Sequence, residues 1–218
     1  MRAGCAFVAL AAMSLLVPAY ASAETVFRPK DGVYIGLALP FVTIGNDFDG
    51  ETFFVGDTDV VLVPKLDSAF GLRVSLGVRF SNVAMELNYL RSSHDASVAG
   101  IPAEAKYQQF GGDLKFLLTQ QQAQPYLLVG MYLPEVILKD GSASVFGDVG
   151  DASYQGLGLN AGVGLLYNLH PRFSFDIGVV YRLGLFASAK GASGTRETLD
   201  EALIGGGIGV NLGGSFTF

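Results

Sequence analysis

Tryptophan is absent from the 218 residues, and cysteine occurs once, at Cys5. That cysteine lies inside an N-terminal leader-like stretch, ahead of its apolar run, where a lipoprotein cysteine would not sit. Beyond it no disulfide and no thiolate metal site can form. Charge is scarce at 16% and leans acidic, with a net charge of −6. Without a basic stripe to displace counterions, nucleic-acid binding is excluded. What is plentiful is apolar character and glycine: half the residues are hydrophobic, mean hydropathy is +0.40, and there are 29 glycines. That is about twice the usual ~7% glycine, with no three-residue period to suggest collagen. Each glycine inside a helix costs about 1 kcal/mol against alanine, so the composition points to something apolar and non-helical.

Residues 1–23 read as a cleavable secretory signal. Arg2 supplies the positive start, residues 6–17 an uncharged apolar run, Pro18 a break, and Ala21-Ser22-Ala23 the small-residue cleavage pattern, leaving Glu24 first. The apolar run falls short of the ~20 residues a membrane-spanning helix needs. Residues 24–218 are then expected to form one domain.

Inside that domain the apolar segments have a period of 2. Over residues 70–80 the even positions are Phe70, Leu72, Val74, Leu76, Val78 and Phe80, and the odd ones Gly71, Arg73, Ser75, Gly77 and Arg79. A helix would scatter the two arginines among apolar groups, whereas a strand sets them together opposite an apolar face. The alternation returns over 83–90, 157–167 and 173–185, and with lapses over 32–42, 105–118 and 203–218; residues 125–133 fit least well, because Leu128 falls on the polar face. The expectation is an all-β fold of eight strands, at about 31–42, 69–80, 83–92, 105–118, 125–135, 153–168, 172–186 and 202–218. Each has the ~9–11 residues that cross a bilayer at a tilt. Connections 81–82, 119–124 and 169–171 are short, whereas 43–68, 93–104, 136–152 and 187–201 are long. That alternation is the pattern of an eight-stranded antiparallel up-and-down transmembrane β-barrel.

At membrane depth the apolar faces hold no Asp, Glu, Lys or Arg, while the opposite faces hold Arg73, Arg79, Glu86, Asp113, Lys115, Asp176 and Arg182. A soluble sheet would turn its apolar face inward; a membrane barrel turns it to lipid and fills the lumen with the polar side chains. Period alone does not separate the two, but the leader, the low charge and the loop asymmetry favour the membrane.

The chain resembles the eight-stranded outer-membrane β-barrel superfamily that includes OmpA- and OmpX-like proteins. The likeness spans residues 24–218 and is sharpest at the end, Asn211-Leu212-Gly213-Gly214-Ser215-Phe216-Thr217-Phe218. The runs Pro125-Tyr126-Leu127-Leu128-Val129-Gly130 and Gly158-Leu159-Asn160-Ala161-Gly162-Val163-Gly164 also look like family strand motifs. The resemblance implies residence in the outer membrane of a Gram-negative cell envelope, with both termini periplasmic and the long loops extracellular. It implies an assembly signal at Asn211, Gly213, Phe216 and Phe218, read by the barrel-assembly machinery, with periplasmic chaperones escorting the chain and outer-membrane lipid and lipopolysaccharide around it. OmpA carries a periplasmic peptidoglycan-binding domain after its barrel; the sequence here ends at Phe218, and the expectation is a barrel without that domain.

An eight-stranded barrel has an interior just wide enough for side chains. The lumen residues number four cations against three acids, and the expectation is a self-neutralised polar plug, because buried charges are usually paired. Taking 81–82 as a two-residue turn sets Glu86 opposite Gly77; taking 169–171 as a turn sets Asp176 near Gly164 and Arg182 near Gly158. The alternative is a narrow conduit for ions or small apolar solutes, opened when these groups exchange partners. Residues 43–68 hold Asp47, Asp49, Glu51, Asp57, Asp59 and Asp67 against Lys65, an acidic loop without calcium-loop spacing. Within it, residues 52–55 and 60–63 either pair as a hairpin above the membrane, an edge suited to adhesion, or extend the flanking strands. Only His94 and His170 are available as bases. His94 lies beside Ser92, Ser93 and Asp95, but adjacency does not make a triad. The function expected is that of a structural or surface-exposed barrel, with no catalytic, cofactor or metal site and no enzyme activity.

Overall fold

The computed structural model describes residues 30–50, 52–55, 59–98, 101–141, 150–190 and 196–218. The leader lies outside them. Every regular element among them is β. The strands are β1 (Gly32–Val42), β2 (Gly45–Asn46), β3 (Thr52–Val55), β4 (Asp59–Leu62), β5 (Lys65–Leu66), β6 (Ala69–Phe80), β7 (Val83–Val98), β8 (Ile101–Leu117), β9 (Ala123–Gly141), β10 (Gly150–His170), β11 (Phe173–Lys190) and β12 (Arg196–Thr217). Pairing runs antiparallel through β1, β6, β7, β8, β9, β10, β11 and β12, and β12 pairs back onto β1 from Tyr34↔Thr217 to Phe41↔Val210. The ring of eight is therefore closed, and closure removes the sheet edges along the length of β1.

The alternation places large apolar groups on the outside. Leu37, Leu39, Phe70, Leu76, Phe110, Met131, Leu133, Leu159 and Ile208 are each more than half exposed. So continuous an apolar surface is unfavourable in water, at about 25 cal/mol per Å², and marks a lipid or partner environment. Arg73, Arg79, Glu86, Asp113, Lys115 and Arg182 all point inward and are buried. Leu128, the misfit of its strand, packs inside with Leu117, Tyr126, Leu166 and Val180.

Three of the long connections are shorter than expected. Residues 93–98 and 101–104 form a β-ribbon that keeps its pairing to Val98↔Ile101. β9 and β10 likewise run through 136–141 and 150–152, and β11 and β12 through 187–190 and 196–201. The physical reason is a reversal of faces. Along β7, exposed Arg91, Ser93 and Asp95 alternate with buried Ser92, His94, Ala96 and Val98. The period of 2 persists, but beyond the belt the apolar side chains are the inward ones. A reading keyed to one apolar face stops where that face changes sides.

Residues 43–68 also depart from a solvated acidic loop. β2 pairs with Gly205 and Gly206 of β12, and β5 with Ala96 and Ser97 of β7. The chain thereby folds back into the barrel mouth and buries Ile44, Phe48, Val63 and Leu66. Phe48 lies 4.8 Å from the Phe186 ring and 5.9 Å from that of Tyr154. Asp47 is held, its carboxylate accepting from the Ile204 N–H at 2.6 Å; Asp49, Lys65 and Asp67 remain exposed. Among the described residues, β3 and β4 pair only with each other, Thr52↔Leu62 to Val55↔Asp59, as a hairpin separate from the barrel sheet and not an extension of its strands.

Two prolines fall where a ladder lapses. The β1–β6 register stops at Ala38↔Arg73 and resumes at Phe41↔Phe70, skipping Pro40; the β9–β10 register skips Pro134 between Gln155↔Glu135 and Gly158↔Tyr132. A residue without N–H leaves its ladder position unmade.

Candidate functional site

The inward polar residues of the barrel meet in one chain of ion pairs. Lys115 Nζ lies 2.8 Å from Asp176 Oδ2 and 2.8 Å from Glu86 Oε1. Arg73 Nη2 lies 2.9 Å from Glu86 Oε2 and 2.7 Å from Asp113 Oδ2. Five of the seven residues singled out from the sequence are thus joined, alternating in sign: Asp176, Lys115, Glu86, Arg73, Asp113. The other two take amide partners. Arg79 donates to Gln124 Oε1, and Arg182 Nη2 to Asn211 Oδ1 at 3.4 Å.

Neutral groups complete the acids' hydrogen bonds. Tyr34 donates to Glu86 at 2.9 Å and Tyr126 to Asp176 at 2.8 Å. The amides of Asn88 and Asn160 donate to Asp113 at 2.9 and 3.0 Å. Such saturation is what a buried ion pair requires, since the attraction offsets desolvation only when the remaining lone pairs are also satisfied. The alternation names none of these tyrosines and amides as partners of the lumen charges, although Tyr126 and Asn160 lie in the family-like strand motifs. The available signal was glycine: Tyr34 stands opposite Gly77, Tyr126 opposite Gly164 and Tyr132 opposite Gly158. A Cβ at any of the three glycines would overlap the facing ring.

Glu86 does stand opposite Gly77, as the two-residue turn requires. The positions inferred for Asp176 and Arg182 are corrected. Asp176 faces Leu166 and Arg182 faces Asn160, a register two residues away from Gly164 and Gly158. The turn is made by Pro171 and Arg172, and a bulge between Asn168 and His170 absorbs the extra residue. Gly158 and Gly164 accommodate tyrosine rings, not charged side chains.

The interior divides into two zones. Toward the short-turn end a cavity of about 40 Å³ is lined by Tyr34, Ser75, Arg79, Glu86, Lys115 and Asp176 among others. Toward the long-ribbon end the lumen is filled by the apolar cluster around Phe48, Tyr154, Phe186, Val136, Leu138 and Leu203. Between them, beside Arg182, is a second cavity of about 10 Å³.

The molecule is thus a closed ring of eight antiparallel strands with an apolar exterior and a polar core. Residues 7–216 match the model of the outer membrane protein beta-barrel domain. The chain belongs to that family. It is an outer-membrane β-barrel protein. Among solved structures it is similar to Neisserial surface protein A (17% identity, TM-score 0.54, covering 86% of this chain and 98% of that one). It is also similar to the outer membrane protein OprG from Pseudomonas aeruginosa (16% identity, TM-score 0.56, covering 88% and 99%). At these identities the likeness is one of fold. No curated protein sequence matches the chain.

With the outer-membrane barrel placed in lipid, His94 lies beyond the membrane belt, past the last apolar row of Tyr89, Phe110 and Leu133. Its Nδ1 is 2.6 Å from the Asp67 carbonyl oxygen, and its Nε2 is 2.7 Å from Ser92 Oγ. The carbonyl can only accept, so Nδ1 donates and the serine donates to Nε2. Burial pushes the imidazole pKa below its ordinary 6.5. Ser93 and Asp95 point outward, and Asp67 contributes its backbone, not its carboxylate. His94 thus fastens the returning loop to the wall of the outer-membrane barrel, and the neighbours in sequence do not assemble into a triad. His170 is exposed at a turn.

At the end of the chain Asn211 is buried in the lumen, and Gly213 lies against Ala38, where a Cβ would crowd the alanine methyl. Phe216 and Phe218 face outward, their rings edge-on at 5.5 Å.

Proposed function

We propose that this outer-membrane barrel is a closed, non-conducting anchor of structural or surface-exposed type, displaying its β-ribbons and the β3–β4 hairpin at the cell surface. The observation that carries this reading is the fully buried Phe48, held with Ile44, Val63 and Leu66 inside the mouth. That dry stopper stands above a lumen already crossed by the ion-pair chain. The two lumen cavities described, about 40 and 10 Å³, have room for a few waters and for about one, far below a ligand site. A conduit would need both the stopper and the ion-pair chain to move.

In this reading the short turns and both termini face the periplasm, and the ribbons reach past the lipopolysaccharide of the outer leaflet. Asn211, Gly213, Phe216 and Phe218 act during insertion, as the signal met by the barrel-assembly machinery after escort by periplasmic chaperones. The reading assigns no catalytic role to the Ser92–His94 pair: it is buried in the wall, Asp95 points outward, and Asp67 meets the imidazole with its backbone carbonyl.

The test is single-channel recording in planar bilayers. The intact protein, Glu86→Ala and Arg182→Ala are each expected to give no stepwise conductance, because the apolar stopper survives both lumen changes. Discrete openings in the intact protein would reject the closed reading in favour of the conduit.

A further inference from the structure

Among the described residues, the lumen holds one positive charge more than its own acids answer. Its inward cations are Arg73, Arg79, Lys115 and Arg182, and its inward acids are Glu86, Asp113 and Asp176. Every salt bridge described among them belongs to Arg73 or Lys115. Arg79 lines the larger cavity at the short-turn end, where water can reach it. Arg182, no more exposed than Arg79, lies between the ion-pair chain and the apolar stopper.

Three features converge on Arg182. Among the described residues its Nε is buried with no hydrogen-bond partner, and its one side-chain bond, to Asn211, is long at 3.4 Å. Asp113 acts on it only across a distance, opposed by Arg73, and both Asp113 oxygens are already taken by Arg73, Asn88 and Asn160. Finally, Arg182 borders the 10 Å³ cavity, with Thr43, Tyr107, Tyr132, Phe186 and Gly207 as further walls. A lysine in such a place could shed its proton; an arginine cannot. Asn160 Oδ1, directly opposite, also lacks a partner. A water between the two would satisfy both hydrogen bonds and leave the charge unanswered, which is the costly state in a low-dielectric interior.

We propose that the junction beside Arg182 is a binding site for a single small monovalent anion of the halide class. The ion accepts from the free Nε–H and neutralises the lumen, and the space admits nothing the size of an organic acid. It is a structural counter-ion, taken up as the stopper closes over it.

The experiment uses the full barrel refolded into nanodiscs in sodium chloride, sodium bromide or sodium gluconate at equal ionic strength. Thermal midpoints are expected to rise and saturate with chloride or bromide but not with gluconate, and bromide-grown crystals to show an anomalous peak beside Arg182. Asn211→Asp places a fixed carboxylate next to the guanidinium and is expected to abolish the halide dependence and the peak. Arg182→Met, if it assembles, does the same by removing the charge. The proposal is overturned by water alone in the cavity, by equal midpoints in chloride and gluconate, by bromide density without a halide effect on stability, or by undiminished halide dependence in Asn211→Asp.

Discussion

Tyr34 and Gly77 face each other across the β1–β6 ladder, and the tyrosine ring occupies the volume a side chain at 77 would need. On its other side Gly77 pairs with Glu86, the acid to which Tyr34 donates at 2.9 Å. The glycine is therefore the space through which a residue of β1 reaches a carboxylate on β7, two strands away. Gly77→Val should push the ring aside, break that bond and cost about 1–3 kcal/mol by overpacking. Tyr34→Phe should cost about 1 kcal/mol by removing the bond alone. Urea unfolding of the barrel in lipid distinguishes them, and equal losses would mean that the glycine does not serve the ring.

Glu86 joins the two halves of the ion-pair chain, touching both Arg73 and Lys115. Removing one member of a buried pair leaves the partner's charge exposed to a low dielectric and costs about 3–5 kcal/mol. Glu86→Gln should show a loss of that order in the same unfolding measurement. Arg79→Gln, whose partner is the Gln124 amide and which lines the larger cavity, should lose clearly less.

Phe48→Ala should empty the centre of the stopper. Truncating a buried phenylalanine typically costs about 3–5 kcal/mol. Here the loss should concentrate in residues 43–68, which are tied to the wall by short ladders and a few hydrogen bonds, those of Asp47 and His94 among them. Hydrogen exchange should quicken there and leave β8 and β9 unchanged; uniform acceleration would show that the stopper and barrel unfold as one unit.

The His94 latch implies a direction in pH. The buried imidazole takes up a proton less readily than in the unfolded chain, where its pKa is near 6.5. Its contribution is therefore complete above that value and declines as pH falls below it, since the unfolded state then binds more protons. Protection of residues 43–68 should fall between pH 7 and pH 5 in the intact protein, and this dependence should vanish in His94→Gln. A loop equally protected at both pH values would rule the latch out.

Deleting Phe218 should slow insertion catalysed by the assembly machinery and leave spontaneous refolding in detergent near normal, because the ring faces outward and is 62% exposed. Equal slowing in both would assign it to packing against Phe216.

The strand count, the closure and the inward charges were legible because the belt of the barrel obeys one rule, large apolar residues outward at every second position. Leu128 breaks that rule only because the lumen keeps a small apolar patch with Leu166 and Val180. The rule misleads past the belt, where Ala96, Val98, Val136 and Leu138 turn inward on strands whose outer face has become polar. There the same residues read as loops. Two further features needed coordinates: the bulge at Asn168–His170, which shifts Asp176 and Arg182 by two positions, and the partners chosen by each charge.

Period and composition by themselves determined the membrane-crossing sheet of this protein and the identity of its polar interior, because those follow from local alternation against a uniform solvent. Tertiary structure alone decided that Arg73 and Lys115 share the acids while Arg182 is left over, and that Phe48 returns to close the mouth. Those outcomes depend on which side chains meet across strands far apart in sequence. Local alternation carries no record of such meetings.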